Sequence, residues 1–345
     1  MTLPSRRQWA IAAGFLGCLL AALAIVGWLV GAPLAGTALP GVAVGFLLTL
    51  QRRSRRAGLL AVAVMGGLAF VSTLAASSTA AAALWMGAVG FAYGLSALRG
   101  WHVLTQQLAI WCAYVTVNPL QAHAATKLSR IEHVQPDLRA ALVTAAVVVA
   151  SGAFAALLAG FAKGTPRPLE ALGRDSALLM AIAMGVLLGV GTLIVVGGYR
   201  HAAGEWLLLT MIVVSQPDVH GTYRHTLERV VGTVAGVLAA GVIGLALGDA
   251  PVRSVLAIAL LVAAFAFRQV PGRYWPYVLF LTPGIVLIES QPSSTAALAE
   301  NRLLYTLAAA AAVTAAALAV SALTRRPDRK STRLNSSHAN ISYAV

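Results

Sequence analysis

Charged residues are scarce in this chain, and that scarcity excludes most soluble folds. Only 10% of the 345 residues are charged, whereas 59% are hydrophobic; soluble domains carry about 25% charged residues. The apolar residues form runs along the whole chain, many of them close to the roughly 20 residues that cross a bilayer as a helix. Because backbone polar groups inside lipid must be satisfied within the helix itself, the composition predicts an all-α, polytopic membrane helix bundle.

Acidic residues are also few, with 11 against 25 basic residues and a net charge of +14. Such a charge can indicate nucleic-acid binding, but here the basic residues are scattered between apolar runs and form no single patch. Their placement is typical of topology signals, since basic residues collect in cytoplasmic loops. We therefore expect the lipid bilayer as a partner and no nucleic acid.

Cysteines and enzyme motifs are nearly missing. Cys18 and Cys112 lie far apart within apolar runs, which predicts neither a disulfide framework nor a thiol metal site. The chain has no P-loop, no G-x-S-x-G elbow and no H-E-x-x-H motif, each of which would indicate a particular enzyme chemistry. We expect no enzyme activity, no cofactor and no metal.

The apolar runs predict about twelve transmembrane helices. Numbering the loops from a cytoplasmic N-terminus places most basic residues inside, which favours both termini in the cytoplasm. The predicted spans are 9–31, 34–50, 57–76, 79–98, 101–117, 138–162, 176–198, 203–216, 229–248, 252–268, 275–290 and 302–323. The basic residues left outside are Lys127, Arg130, Arg139, Arg200, Arg253 and Arg302.

The chain also repeats itself weakly. A shift of 174 residues places Arg55 on Arg229 and Gly58 on Gly232, and a shift of 163 places Arg139 on Arg302. Six spans in each half predict two parallel six-helix repeats, although chance coincidence is the alternative. The expected units are a first membrane half over 1–135 (five spans plus a loop), a second over 136–325 that includes the sixth span of the first repeat, a cytoplasmic tail over 326–330, and a non-native tail over 331–345 that resembles vector sequence.

One segment carries a specific signature. A hydrophobic helix ends at Gln216-Pro217, a polar stretch follows, and the motif Arg229, Gly232, Thr233, Gly236 comes next. The segment resembles the FUSC family, the fusaric acid resistance and aromatic acid exporter group of bacterial inner-membrane proteins. The resemblance covers residues 1–325 but is specific mainly over 205–245 and 275–320.

The resemblance implies a function. It implies an inner-membrane transporter that exports small organic anions, above all aromatic carboxylic acids, driven by the proton gradient and often working beside a periplasmic adaptor protein. A homo-oligomer is also compatible with it. Two alternatives are a dimeric, arginine-lined anion channel without coupling, and a non-transporting partner in an envelope complex.

Four arginines are the candidate substrate-binding residues. Arg229 and its repeat mate Arg55 are predicted at the cytoplasmic mouths of equivalent helices, where a guanidinium and a helix N-terminus both favour a carboxylate. The alternative is that both simply follow the charge bias of inner loops. Arg139 and Arg302 lie on the disfavoured outer side, each opening the last helix of its half, and either guide an anion outward or pair locally with Asp137 and Glu300.

Proton coupling needs a titratable group, and the candidates stand at span ends. Glu205, Glu228 and Glu289 lie at or near such ends, and we select Glu289 and His225 as coupling candidates; solvated helix ends are the alternative. Spacings of G-x-x-x-G allow helices to approach closely, which predicts helix-packing roles for Gly232, Gly236, Gly41 and Gly45.

Overall fold

The structure is a computed structural model, and it describes residues 3–118, 138–160, 171–199, 204–216, 219–247, 251–270, 274–289 and 295–324. Within these ranges every regular element is helical and no strand occurs. The α-helices are α1 Arg6–Val30, α2 Ala38–Arg52, α3 Arg55–Ala75, α4 Thr79–Ser96, α5 His102–Val117, α6 Leu138–Ala159, α7 Arg174–Ile194, α8 Glu205–Val214, α9 Val219–Leu247, α10 Pro251–Arg268, α11 Trp275–Glu289 and α12 Thr295–Thr324. The predicted all-α class is confirmed.

Seven of these helices are long and apolar enough to cross a bilayer by length and composition: α1, α3, α4, α6, α7, α9 and α12. Two shorter apolar helices, α8 and α11, accompany them. The protein is therefore a multi-pass membrane protein. Each of the twelve predicted spans coincides with a helix. Five of these helices do not reach the length and hydropathy of the seven named above, so a count of twelve membrane crossings stays a prediction.

Local sequence explains where several helices begin. Ser5 caps α1 in a reciprocal pair with Gln8, while Ser54 and Ser78 accept from the free backbone N–H groups at the starts of α3 and α4. A serine at this position satisfies one of the donors that a helix start leaves without a partner. Between α1 and α2 the chain turns at Gly31, whose φ of 107° suits a residue without a side chain.

Two expected helix starts were wrong. We expected helices to open at residue 229 and residue 302, but α9 begins at Val219 and α12 begins at Thr295. The polar segment before Arg229 stays helical because it contains no proline and because Arg224 and Glu228 pair at i,i+4 spacing. Arg229 and Arg302 therefore lie inside their helices, beyond the first turn to which the positive end of a helix is confined.

Small residues bring several helices into close contact. A Cβ added at Gly41 or Gly45 would meet backbone atoms of α6, at Val148 and Gly152. The same holds for Gly90 and Gly94 in α4, which face α7. These contacts place α2 directly against α6 and α4 against α7, the packing mode that small residues allow in membrane helices.

The second half of the chain packs through the glycines of the signature. At Gly232 an added Cβ would lie 2.7 Å from the side chain of Val278 in α11, and at Gly236 it would lie 3.0 Å from Cδ of Pro283. Pro283 stands inside α11, where a proline removes a helix hydrogen bond and bends the axis. Gly236 therefore makes room for the bent part of α11.

Two apolar clusters hold the helices together. One surrounds the fully buried side chains of Met65, Met86, Met184 and Leu208, from α3, α4, α7 and α8. The other joins α1, α2 and α6 around Phe15, Phe46 and Val147, with Phe265 of α10 packed against it. The second cluster connects α1 with α10, two helices far apart in the sequence, and forms the apolar wall of the site described next.

Candidate functional site

An open cleft of about 870 Å³ lies where the start of α1, the end of α2, the first turns of α9 and the end of α10 meet. Its charged lining is strongly one-sided, with four arginines and one carboxylate, Glu228. Its lining also contains four aromatic rings. The arginines are Arg7, Arg53, Arg224 and Arg268, and the rings are Phe15, Phe46, Phe265 and Tyr274.

The phenylalanines form the apolar wall. The ring of Phe15 lies 5.3 Å from that of Phe46 and 4.4 Å from that of Phe265, centroid to centroid. These separations are at or just below the usual range for interacting aromatic pairs. The wall therefore offers ring faces and edges to an aromatic ligand, beside the guanidinium groups of the lining.

A row of three neighbouring rings follows, from His225 through Tyr274 to Tyr277, and we call it the aromatic ladder. His225 and Tyr274 stack at 5.2 Å, and Tyr274 lies 5.5 Å from Tyr277. Arginines hold both tyrosines: Arg229 Nη1 donates to Tyr274 Oη at 3.0 Å, and Arg268 lies 5.0 Å from the Tyr277 ring centroid, within cation–π range. The ladder thereby connects α9 to α11 at the cleft.

Tyr274 presents a protonated phenol at this position. Burial raises the pKa of Tyr274, and the nearby charge of Arg229 offsets only part of that effect. A phenol O–H can donate a hydrogen bond to an anion. Tyr274 therefore adds a donor to the arginines of the cleft.

Glu228 fixes the backbone from which Tyr274 projects. The Tyr274 N–H donates to Glu228 Oε2 at 2.7 Å, and Arg224 Nε donates to Glu228 Oε1 at 3.0 Å. The Arg224 side chain is 56% exposed, so that ion pair contributes little stability. The backbone bond is shorter and the carboxylate is 16% exposed, so it carries most of the fixing effect.

We expect Glu228→Ala to destabilise the protein more than Arg224→Ala does. Hydrogen bonds to charged groups contribute about 1.5–3 kcal/mol, whereas an exposed i,i+4 pair contributes about 0.3–0.5 kcal/mol. Thermal unfolding of the purified variants in detergent should show the difference as a lower midpoint for Glu228→Ala. Equal midpoints would mean that the hydrogen bond from the Tyr274 N–H to Glu228 does not stabilise the fold.

Two further features shape the cleft. Gln8 Nε2 donates to the Gln269 carbonyl at 2.9 Å, and Gln269 Nε2 donates to the Gln8 carbonyl at 3.3 Å, so the start of α1 is tied to the end of α10. Arg53 directly follows α2 as its C-cap and has a φ of 52°, a left-handed conformation that costs a non-glycine residue about 1–2 kcal/mol. Among the described residues only Arg53 combines a side chain with such a φ.

The predicted arginine pair lies near the cleft without lining it. Arg229 is 4% exposed and contacts the cleft through Tyr274, and its Nε has no hydrogen-bond partner among the described residues. Arg55 is exposed as the first residue of α3, and its side chain packs against Gly160 after α6. Sequence reasoning missed Arg53, the near neighbour of Arg55 that does line the cleft.

The two arginines predicted on the outer side, Arg139 and Arg302, differ in their exposure. Arg139 is exposed near the start of α6, whereas Arg302 is 2% exposed within α12. The guanidinium of Arg302 lies 3.7 Å from the ring centroid of Trp206. Glu300 is exposed, and Asp137 lies outside the described residues. The two arginines therefore have different surroundings despite their matching positions in the sequence.

The two candidates for proton coupling, His225 and Glu289, lie in different parts of the structure. His225 lines the cleft as the first ring of the aromatic ladder. Glu289 is the last residue of α11, and its side chain lies outside the described residues. Within the described ranges, no three His, Cys, Asp or Glu side chains gather as metal ligands would.

Besides Arg53, sequence reasoning did not select the cleft residues Arg7, Arg224, Arg268 and Tyr274. Their one visible signal was the basic character of the predicted inner loops and chain start. That signal marks a side of the membrane and does not show which loops converge. The convergence follows from the packing of α1 against α10, helices whose residues are separated by most of the chain.

Comparison with known families gives one match. Residues 190–316 match the family model FUSC_2, described as fusaric acid resistance protein-like. No curated protein and no solved structure matches the chain significantly. The matched segment contains α8 to α11 and most of α12, including the signature Arg229, Gly232, Thr233, Gly236. Over residues 190–316, the chain is therefore similar to the fusaric acid resistance protein-like family.

Proposed function

We propose that the protein exports small organic anions, and aromatic carboxylates in particular, from the cytoplasm across the bacterial inner membrane. The observation that carries the proposal is the cleft, which combines an arginine-rich lining with a wall of aromatic rings. Its volume of about 870 Å³ lies within the usual range of small-molecule sites, about 300–1,000 Å³. A monocyclic aromatic acid fits such a space and needs both features.

The two parts of such a ligand have separate partners. A carboxylate favours guanidinium because the planar fork can donate two parallel hydrogen bonds. The ring of the ligand favours Phe15, Phe46 and Phe265, where apolar area leaves water. With four arginines against a single carboxylate, the cleft attracts anions and repels cations.

The sidedness of the cleft agrees with export. Arg7, Arg53, Arg224 and Arg268 all belong to segments that the charge bias assigns to the cytoplasm, as do both chain termini in the same topology. The cleft then faces the compartment from which the substrate leaves. Anions gather there before they enter the membrane part of the protein.

Helix contacts support a twelve-span, two-repeat architecture. Helix pairs in the first half have equivalents six helices later: α2–α6 with α8–α12, α3–α6 with α9–α12, α3–α5 with α9–α11, and α4–α5 with α10–α11. Between the halves, α4–α7 corresponds to α10–α1. Two parallel six-helix units related by an axis along the membrane normal would produce this pattern.

Energy coupling and partners complete the proposal. Export against a gradient requires an energy source, and a titratable group in the pathway can supply it from the proton gradient. His225 stands in the cleft and Glu289 ends α11, so both stay the proposed coupling residues. A periplasmic adaptor and a homo-oligomer are the proposed protein partners.

The test measures accumulation of radiolabelled 4-hydroxybenzoate in bacteria that lack their own aromatic acid exporters. Cells carrying the intact protein should accumulate less than cells with an empty vector, and an uncoupler should remove the difference. Cells carrying Arg268→Ala should accumulate more 4-hydroxybenzoate than cells carrying the intact protein. The substitution removes a guanidinium from the cleft and its contact with the ring of Tyr277.

Other outcomes separate the alternatives. Lower accumulation that persists with uncoupler would indicate an uncoupled channel. Accumulation equal to that of the empty vector, with the protein present in the membrane, would contradict export of this anion by the protein alone and would favour a partner role in an envelope complex.

A further inference from the structure

Arg229 is a buried positive charge for which the described residues supply no negative partner. Its side chain is 4% exposed, and its Nη1 donates to the phenol of Tyr274 at 3.0 Å. The adjacent carboxylate of Glu228 is engaged elsewhere, since its two oxygens accept from Arg224 and from the Tyr274 N–H. A charge that has left water without an opposite charge is costly, so an anion beside Arg229 would stabilise the fold.

Three buried polar atoms without a hydrogen-bond partner in the described part of the chain lie within one turn of α9. They are Nδ1 of His225, Oγ1 of Thr226 and Nε of Arg229. Residues three and four apart are neighbours on a helix surface, and a long side chain leans toward the start of its helix, over the preceding turn. The Arg229 side chain therefore extends toward His225 and Thr226. Its bond to Tyr274, whose ring stacks on His225, agrees with that direction.

The guanidinium distinguishes this turn from other places where a hydroxyl has no partner. Buried threonines such as Thr192 and Thr210 also have unpaired hydroxyls within the described ranges, so an unpaired threonine alone indicates no site. In α9 the unpaired atoms surround a positive charge. A guanidinium N–H, a hydroxyl and an imidazole N–H are all hydrogen-bond donors, and such donors beside a cation are suited to an anion.

Tyr274 separates this turn from the cleft. Its ring stacks on His225 at 5.2 Å, its Oη accepts from Arg229, and it lines the cleft. On another side α9 packs tightly against α11, where a Cβ at Gly232 would lie 2.7 Å from the side chain of Val278. A ring-bearing acid would have to displace Tyr274 to reach the Arg229 Nε, whereas an ion of a single atom is small enough to bind beside it.

We propose that Arg229, Thr226 and His225 bind a small inorganic anion, chloride, behind Tyr274. The Arg229 Nε–H and the Thr226 hydroxyl donate to it, and so does His225 Nδ1 in the tautomer that carries its hydrogen there. The buried charge of Arg229 needs a counter-ion whether or not a substrate is present, which favours an abundant ion over the transported acid. Chloride is then a fixed part of the fold, and this site is separate from the cleft and independent of the proposed function.

The test is thermal unfolding of the purified full-length protein in detergent, with chloride replaced stepwise by gluconate at constant ionic strength. A ligand that binds only the folded state stabilises it with the logarithm of its concentration above the Kd. Each tenfold increase in chloride should therefore raise the midpoint by about 2 °C, and Arg229→Gln should abolish this dependence. Thr226→Val removes the hydroxyl at nearly constant shape and should weaken chloride binding by about tenfold, the loss expected for a hydrogen bond to an ion.

Thr192→Val is the matched control. Thr192 is a buried threonine of α7 whose hydroxyl has no partner among the described residues, and its neighbours one turn away, Leu188 and Val196, are apolar. The control should keep the full chloride dependence. The proposal is overturned if chloride and gluconate give the same midpoint, if the dependence survives Arg229→Gln, or if Thr192→Val weakens it as much as Thr226→Val does. If Arg229→Gln does not fold, the comparison of the two threonine variants decides.

Added 4-hydroxybenzoate distinguishes this site from the cleft. It should leave the chloride dependence of the midpoint unchanged, because the two anions bind in different places. Loss of the dependence would mean that the acid itself occupies Arg229, and would overturn the proposal of an inorganic anion. A chloride dependence without any stabilisation by 4-hydroxybenzoate would support the chloride site and contradict the function proposed for the cleft.

Discussion

Gly45→Val is expected to lower strongly the amount of folded protein in the membrane. A Cβ at Gly45 would meet the backbone of Gly152 in α6 at its carbonyl oxygen, carbonyl carbon and Cα. Backbone atoms cannot rotate away as a flexible side chain can, so α2 and α6 would have to separate. We expect a loss of about 3 kcal/mol or more, at the upper end of what overpacking costs, which is a large part of an ordinary stability of about 5–15 kcal/mol.

The measurement is the amount of monodisperse protein by fluorescence-detected size exclusion of a tagged chain. Gly67→Val in α3 is the matched control, since Gly67 is exposed and a Cβ there would meet no atom within 4 Å. The control should elute like the unmodified protein. Equal behaviour of the two variants would contradict the close approach of α2 to α6.

Arg229→Ala is expected to reduce export of 4-hydroxybenzoate by more than tenfold. The substitution removes the donor to Tyr274 Oη, and a hydrogen bond to a charged group contributes about 1.5–3 kcal/mol, where about 1.4 kcal/mol is a factor of ten. Tyr274 would lose its fixed position, and the aromatic ladder would lose the link between α9 and α11. The readout is the initial rate of efflux from preloaded cells, normalised to the amount of protein in the membrane.

Two variants separate a positioning role from direct contact with the substrate. Tyr274→Phe keeps the ring but removes the phenol that Arg229 holds. If Arg229 acts only through Tyr274, adding Arg229→Ala to Tyr274→Phe should cause no further loss of export; if Arg229 contacts the substrate itself, the double variant should lose more export than Tyr274→Phe alone. Arg56→Ala, which removes an exposed arginine from the start of α3, should export normally. Export by Arg229→Ala at the normal rate would contradict both roles.

Much of the helical framework was predictable from the sequence, because long apolar runs leave a chain in lipid little choice but helix. Each predicted span coincides with a helix from α1 to α12. The starts of α9 and α12 were not predictable in the same way. Hydropathy marks where the apolar part begins, whereas the helix continues outward through polar residues such as Arg224 and Glu228 that support it by side-chain pairing.

The candidate sites were only partly predictable. The sequence motif pointed to Arg229, which the structure places against Tyr274, but the cleft residues Arg7 and Arg268 are far apart in the sequence and meet only through tertiary packing. Burial was equally hidden: Glu205 was visible as an acid near a span end, yet its burial depends on how α8 lies against α5 and α12. Spacing along a chain cannot report a contact between distant helices.

The pairing of Pro283 with Gly236 has a mechanical consequence for α11. Proline has no N–H, so the carbonyl of Leu279, one turn earlier, receives no hydrogen bond from residue 283. That carbonyl lies 3.2 Å from the position that a Cβ of Gly236 would occupy, and the glycine leaves it space. The helix α11 can therefore change its bend angle at Pro283 without breaking a hydrogen bond between residues 283 and 279. The segment that carries Tyr277 can thus pivot relative to the rest of α11, as a hinge beneath the aromatic ladder.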